Sequence, residues 1–259
     1  SPVNLSRSLG LRMNQMIKGL NWLSTFVDKK VNSIRHGGLC VACLSSQAFN
    51  GLCQPCRGDL PVNRWHCRCC ALPLAFPSSE LLCGDCMKHP PAFDSSFIPW
   101  RYQYPLDGMI GRYKYRGQRK FGRPLMADFA DLVQKARLDG AIAMPEVLVP
   151  APMDARRRRQ RGFNQAQDIA ETIASALDLP VDNGLVRRVR RVRSQRELNR
   201  EARLANLRGV FEVIPPVPER IAIVDDVVTT GATVRVLSSA LREAGARNIQ
   251  VWALARTPG

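Results

Sequence analysis

No apolar run in this 259-residue chain approaches the roughly 18 residues needed to cross a bilayer, so the expectation is a soluble protein with no membrane span. The N-terminal stretch lacks a signal-peptide pattern, which weakens any reading of its cysteines as a secreted disulfide framework. Acidic residues are in short supply: 22 Asp+Glu stand against 38 Lys+Arg, a formal charge of +16. Such an excess suits a polyanionic partner, either nucleic acid or a substrate rich in phosphate. The plainer alternative is a solvated basic surface with no partner. What remains is globular in composition, 45% hydrophobic, with room for one good core and a small module.

The most informative stretch runs from residue 221 to 233. Ile221, Ala222, Ile223 and Val224 read as a buried parallel strand. Asp225 and Asp226 follow, then Val227, Val228, Thr229, Thr230, Gly231, Ala232 and Thr233 form a turn that opens a helix. Backbone N–H groups in such a turn converge on an anion, and the helix dipole favours negative charge there. Hydroxyls of Thr229, Thr230 and Thr233 add donors, and Gly231 allows close approach. The two carboxylates can accept hydrogen bonds from vicinal hydroxyls or sit near Mg²⁺. A plain strand–helix junction with an acidic cap is the alternative. These residues resemble the phosphoribosyl-pyrophosphate (PRPP) signature of type I phosphoribosyltransferases. That resemblance implies that Asp225 and Asp226 bind the ribose hydroxyls and that the Thr/Gly turn holds the 5′-phosphate.

Eight of the nine cysteines fall in four C-x-x-C pairs: Cys40/Cys43, Cys53/Cys56, Cys67/Cys70 and Cys83/Cys86. Each pair can point two thiolates at one tetrahedral centre, so four pairs suit two structural Zn²⁺ sites. Short gaps favour sequential pairing, 40 to 56 and 67 to 86, although a cross-braced pairing of first with third stays open. Cys69 is left over, and His36, His66 and His89 read as surface or supporting residues beside a complete thiol set.

Residues 1–12 read as an unstructured extension. Met13, Met16, Ile17, Leu20, Leu23, Phe26, Val27 and Val31 recur at helical spacing, so residues 1–36 form an extension carrying an amphipathic helix. Residues 37–90 form the zinc region, and His89-Pro90-Pro91 marks its end. In residues 91–259 strand-like and helical segments alternate. Strands are expected within 93–104, 147–149 and 249–254. Helices are expected over 106–113, around Leu125, Phe129, Leu132 and Val133, over 163–177, and around Leu237, Leu241 and Ala244 with Gly245 as the stop. This pattern implies an α/β fold with a parallel sheet and helices on both faces. Ligands of such sheets bind beyond the carboxyl ends of strands.

Four C-x-x-C pairs ahead of a PRPP-type motif resemble the ComF family, which includes the GntX-type proteins. Lys114-Tyr115-Arg116-Gly117, Pro150-Ala151-Pro152, Arg161-Gly162-Phe163-Asn164-Gln165-Ala166 and the stretch from Gln195 through Arg203 to Asn206 agree with it. The resemblance covers the chain from about residue 37. It implies a double zinc ribbon, a type I phosphoribosyltransferase fold, Mg²⁺-assisted PRPP binding, a cytoplasmic site of action and a role in DNA uptake during natural transformation. Single-stranded DNA and DNA-uptake or recombination proteins are the partners it suggests.

The resemblance assigns Pro150, Ala151 and Pro152 to the turn facing pyrophosphate. Residues between the helix ending near Leu177 and the strand near Phe211 correspond to a mobile catalytic loop, although their many arginines equally suit a solvated basic segment. Arg156, Arg157, Arg158, Arg159 and Arg161 are candidates for an anion clamp or for contact with a nucleic-acid backbone. Asp225 and Asp226 are the catalytic candidates, since no other general base stands out. Two functions of different kind remain. One is Mg²⁺-dependent phosphoribosyl transfer; the other is a non-catalytic PRPP-sensing adaptor for single-stranded DNA or protein.

Overall fold

A computed structural model describes residues 38–77, 81–116, 118–189 and 209–259. The expected helix around Met13 to Val31, His36, Gly117 and the arginine-rich stretch 190–208 lie outside the described residues. The chain forms two compact units, one ending at Gly58 and one starting at Asp59.

In the first unit β1 (Ala48–Phe49) and β2 (Leu52–Cys53) pair antiparallel across Asn50-Gly51. Both turn residues have positive φ, 49° and 85°. A two-residue hairpin loop requires that backbone, and Asn-Gly adopts it at the least steric cost. α1 (Gln54–Gly58) follows directly.

The second unit begins with α2 (Gly84–Lys88), β3 (Ser95–Phe97), β4 (Trp100–Arg101) and α3 (Leu106–Arg116). After a 3₁₀ turn come α4 (Arg123–Leu138), β5 (Val147–Pro150), α5 (Ala155–Arg161) and α6 (Gln165–Leu177). Then follow β6 (Val186–Arg188), β7 (Phe211–Val213), β8 (Arg220–Val228), α7 (Ala232–Glu243) and β9 (Asn248–Arg256). β6 and β7 pair antiparallel as a small separate ribbon.

The main sheet runs β3–β9–β8–β5, every pair parallel, with β4 also on β9. Its central strands β8 and β9 are buried over nearly their whole length, as strands covered on both faces must be. Alternation sends Val147, Val149, Ile221, Ile223, Ile249, Val251 and Ala253 into one core with Leu237 and Leu241 of α7. Cys67, Cys70, Cys83 and Cys86 belong to that same core, so the second cysteine group is built into the sheet unit. Trp252 instead meets Phe129 of α4 at 6.0 Å, and Phe129 meets Phe97 edge-on at 5.3 Å. Each such aromatic pair adds about 1 kcal/mol beyond its burial.

Two local expectations shift. The helix expected from Phe163 starts at Gln165, because the Asn164 side chain caps it by accepting from the Ala166 N–H at 3.1 Å. Ala244, expected on the buried face of α7, is its exposed C-cap, while Gly245 stops the helix at φ 116°. Among the described residues no helix is long and apolar enough to cross a membrane.

Candidate functional site

The thiols of Cys40, Cys43, Cys53 and Cys56 all lie within 4.8 Å of one another, and so do those of Cys67, Cys70, Cys83 and Cys86. The pairing is therefore sequential, and the cross-braced alternative falls away. Cys43–Cys53 and Cys70–Cys83 are each 3.6 Å apart, far too long for disulfide bonds of about 2 Å. They match the edge of about 3.8 Å expected for four sulfurs bound tetrahedrally to zinc at 2.3 Å. Backbone geometry repeats between the groups. Leu44 N–H donates to the Cys40 carbonyl at 2.9 Å and Ala71 N–H to the Cys67 carbonyl at 2.8 Å. Leu44 and Ala71 both have positive φ, 65° and 56°, so each knuckle folds back at the residue after its second cysteine. The later pairs straddle the starts of α1 and α2, where Cys83 Sγ accepts from the Cys86 N–H at 3.4 Å.

Hydrogen bonding from Cys70 pulls the Cys67 thiol down to about 4, and the same contact, with burial, pushes Cys70 up. Four thiolates cannot share so small a space without a cation between them. Four soft donors with no open position fit a structural Zn²⁺. Cys69 stands outside the group: it is buried and its thiol donates to the Phe93 carbonyl at 3.7 Å. His66 Nδ1 lies 2.7 Å from the Asn63 carbonyl and outside both thiol groups.

At the carboxyl end of β8 the strand delivers Asp225 and Asp226 side by side. Asp225 Oδ1 accepts from the Asp226 N–H at 2.8 Å, and Asp226 Oδ1 accepts from the Val227 N–H at 2.7 Å. Burial and then the adjacent Asp226 charge push the Asp225 carboxyl up to about 7. Asp226 is anchored differently: Lys114 Nζ of α3 is 2.9 Å from its Oδ2. Beyond the acids, Asp225 and residues 227–234 line an open cleft. Thr229 and Thr230 are exposed on it. Gly231 turns the chain into α7 with φ 75°, a backbone that a side chain would strain. The arrangement sets exposed hydroxyls and the start of a helix beside the Asp225 carboxylate, while Asp226 is buried against Lys114 and does not line the cleft.

Three of the four shorter segments singled out in the sequence meet here, and the fourth, Gln195 to Asn206, lies outside the described residues. Gln165 Nε2 donates to the Lys114 carbonyl at 3.3 Å, and Arg161 donates to Gln165 Oε1 at 3.1 Å. Asn164 Nδ2 donates to the Ala151 carbonyl at 3.4 Å. The Tyr113 hydroxyl donates to Asp168 Oδ2 at 2.7 Å, and its ring meets Phe163 at 5.5 Å. Arg119 lies over the Phe163 ring at 4.9 Å and 3.4 Å from Asp168. Phe163 is thus a half-buried packing residue between Tyr113 and Arg119. The helix carrying Lys114 and the turn after β5 are both tied to the start of α6.

Pro150 and Pro152 have no N–H, and the Ala151 N–H is already given to the Val224 carbonyl at 2.9 Å. This turn can shape a site but adds no free donor from those three residues. Arg156, Arg157, Arg158 and Arg159 are exposed along α5, which Asp154 caps by accepting from the Arg156 N–H at 2.9 Å. Arg187 and Arg188 sit in β6, and burial lowers the Arg188 pKa, with Asp154 opposing it. Lys114, Tyr113 and Asp168 went unassigned in the sequence. Lys114 carried a signal, since it opens the Lys-Tyr-Arg-Gly segment, but nothing in the linear order tied it to Asp226.

Comparison with known proteins places the chain beside a small set of bacterial relatives. Competence protein F of Haemophilus influenzae is 34% identical over 223 residues, covering 84% of this chain and 96% of that protein. DNA utilization protein YhgH of Escherichia coli K12 is 32% identical, with 85% and 97% covered. Competence protein ComFC of Bacillus subtilis is 28% identical over 216 residues, 80% of this chain and 84% of that one. No family model matches. A purine phosphoribosyltransferase structure from Pyrococcus horikoshii is similar at 18% identity over 51% of this chain and 82% of that one. Its TM-score of 0.28 is too low for anything further to rest on.

Proposed function

The chain belongs to the ComF/GntX family, and from that premise we propose that it binds PRPP with Mg²⁺ at the end of β8 and acts in DNA uptake. One observation carries the reading. Two carboxylates and a Thr/Gly turn with Gly231 in the left-handed region stand together at the carboxyl end of a central parallel strand. The names of the relatives support the link to competence and DNA utilization.

In this reading Asp225 and Asp226 accept hydrogen bonds from the ribose 2′ and 3′ hydroxyls. The hydroxyls and N–H groups of residues 229–233 hold the 5′-phosphate, helped by the dipole of α7. Lys114 fixes Asp226 in orientation through their ion pair. Asp225, with its carboxyl raised to about 7, ionises fully when positive charge arrives beside it. Mg²⁺, when bound, offsets the charge of the pyrophosphate leaving group. The bond that breaks joins C1′ to pyrophosphate, and the one that forms joins C1′ to an acceptor. The arginines of α5 are available to stabilise the departing pyrophosphate. Zinc in the two thiol groups is structural.

A second reading, a PRPP-responsive adaptor for single-stranded DNA, is favoured by the four exposed arginines in succession on α5. Calorimetric titration of the zinc-loaded protein with PRPP, with and without Mg²⁺, tests the shared premise. Saturable, Mg²⁺-dependent binding that is lost in D225A/D226A supports the pocket. No binding by folded protein sinks it. Pyrophosphate release in the presence of acceptors then separates the enzyme from the adaptor.

A further inference from the structure

Arg256, at the end of β9, is almost completely buried and makes no ion pair among the described contacts. Its guanidinium is spent on carbonyls. Nε donates to the Cys70 carbonyl at 3.1 Å, and Nη1 donates to the carbonyls of Val228 at 3.2 Å, Thr229, and Thr257 at 3.1 Å. One side chain therefore joins the second cysteine knuckle to the first residues of the Thr/Gly turn. A second arginine repeats the link from the helix beyond the turn. Arg235 of α7, also buried, donates to Asp85 Oδ2 at 2.8 Å, to the His89 carbonyl at 2.7 Å and to Cys86 Sγ at 3.6 Å.

The peptide plane gives this geometry a consequence. In a trans peptide the carbonyl of one residue and the N–H of the next point in opposite directions. Holding the Val228 and Thr229 carbonyls back against Arg256 turns the Thr229 and Thr230 N–H groups the other way, toward the open side of the turn. Those donors are the ones an anion in the cleft would use. A rigid fork suits this task, because its donors have fixed relative directions and can hold carbonyls from two segments together. A lysine has one ammonium and cannot copy that fork.

We propose that Arg256 is a positioning residue that fixes the N–H groups of the Thr/Gly turn for phosphate, and that the metal-bound Cys67/Cys70/Cys83/Cys86 knuckle is its anchor. The phosphate-binding part rests on the PRPP reading above; the clip itself does not. It also gives the second thiol group a role in the site. Zinc there holds the Cys70 peptide, the Cys70 carbonyl holds Arg256, and Arg256 holds the turn.

Amide hydrogen exchange and ribose 5-phosphate titration on the full zinc-loaded chain test this, comparing wild type with R256K, R256Q and C83S. R256Q is expected to exchange about tenfold faster at residues 228–234, with residues 221–226 of β8 unchanged and both zinc ions retained. Its affinity for ribose 5-phosphate is expected to fall by about tenfold, with R256K between the two. C83S is expected to lose one zinc and show the same local acceleration. A merely structural role would instead speed exchange across the whole sheet. Wild-type exchange at 228–234 in R256Q overturns the clip, and the same result in a folded C83S that has lost zinc overturns the anchor. If wild type binds no ribose 5-phosphate, the PRPP reading fails, while the exchange comparison still decides the clip.

Discussion

Lys114 Nζ lies 2.9 Å from Asp226 Oδ2, a pair that joins α3 to the end of the central strand with little solvent on either side. Burial makes each partner dependent on the other, because either charge left alone loses its hydration without compensation. Lys114→Met is therefore expected to destabilise the fold by about 3 kcal/mol, and K114M/D226N to recover part of that loss. Denaturant midpoints of the four proteins in the cycle measure the coupling. Additive effects would show that the pair is not coupled.

Asp225 sets a pH dependence of definite sign. Burial and the Asp226 charge hold its carboxyl up at about 7, against an ordinary 3.8. Between those values the folded chain keeps a proton that the unfolded chain has released. The stability this group contributes is full below 3.8 and is lost as pH rises through about 7. Asp225→Asn is expected to flatten the fall in Tm between about pH 4 and pH 7 and to exceed wild type at the upper end. Parallel slopes for the two proteins would assign the titration elsewhere.

Gly122 is required by a neighbour. A Cβ there would stand 2.7 and 2.9 Å from two ring carbons of Tyr113. That ring is fully buried and its hydroxyl donates to Asp168, so it has no room to retreat. Gly122→Ala is expected to cost about 2 kcal/mol in thermal or chemical denaturation. An unchanged midpoint would mean that the ring can move after all.

The three cysteines of the Cys67-Arg68-Cys69-Cys70 segment should separate by metal analysis. Cys70→Ser opens a four-thiol group and is expected to lower zinc from two ions per chain to one. Cys69→Ser, whose thiol donates to the Phe93 carbonyl and lies outside the four-thiol group, is expected to keep both. Loss of zinc from C69S would place its sulfur in the ligand set.

Much of the fold was legible from local chemistry. The apolar run from Ile221 to Val224 reads as a buried parallel strand, and it is central in the sheet. The C-x-x-C pairs announced two four-thiol groups, since ligand spacing is a property of a few adjacent residues. Helix limits moved by one or two positions where a cap intervened, as at Asn164. The turn at Pro150 to Pro152 is placed near pyrophosphate by resemblance alone, and its single N–H, that of Ala151, is used within the sheet.

By itself the sequence determined the strand–acid–turn–helix order at 221–233, the cysteine groups and the basic excess, because each depends on residues close together in the chain. Only the tertiary structure decided that Lys114 serves Asp226, that Gln165 and Asn164 tie Lys114 to the turn after β5, and that Arg256 joins Cys70 to Val228 and Thr229. Those links connect residues far apart in sequence. A lysine or arginine shows no sign, in the linear order, of which buried carboxylate or carbonyl will need it once water is excluded.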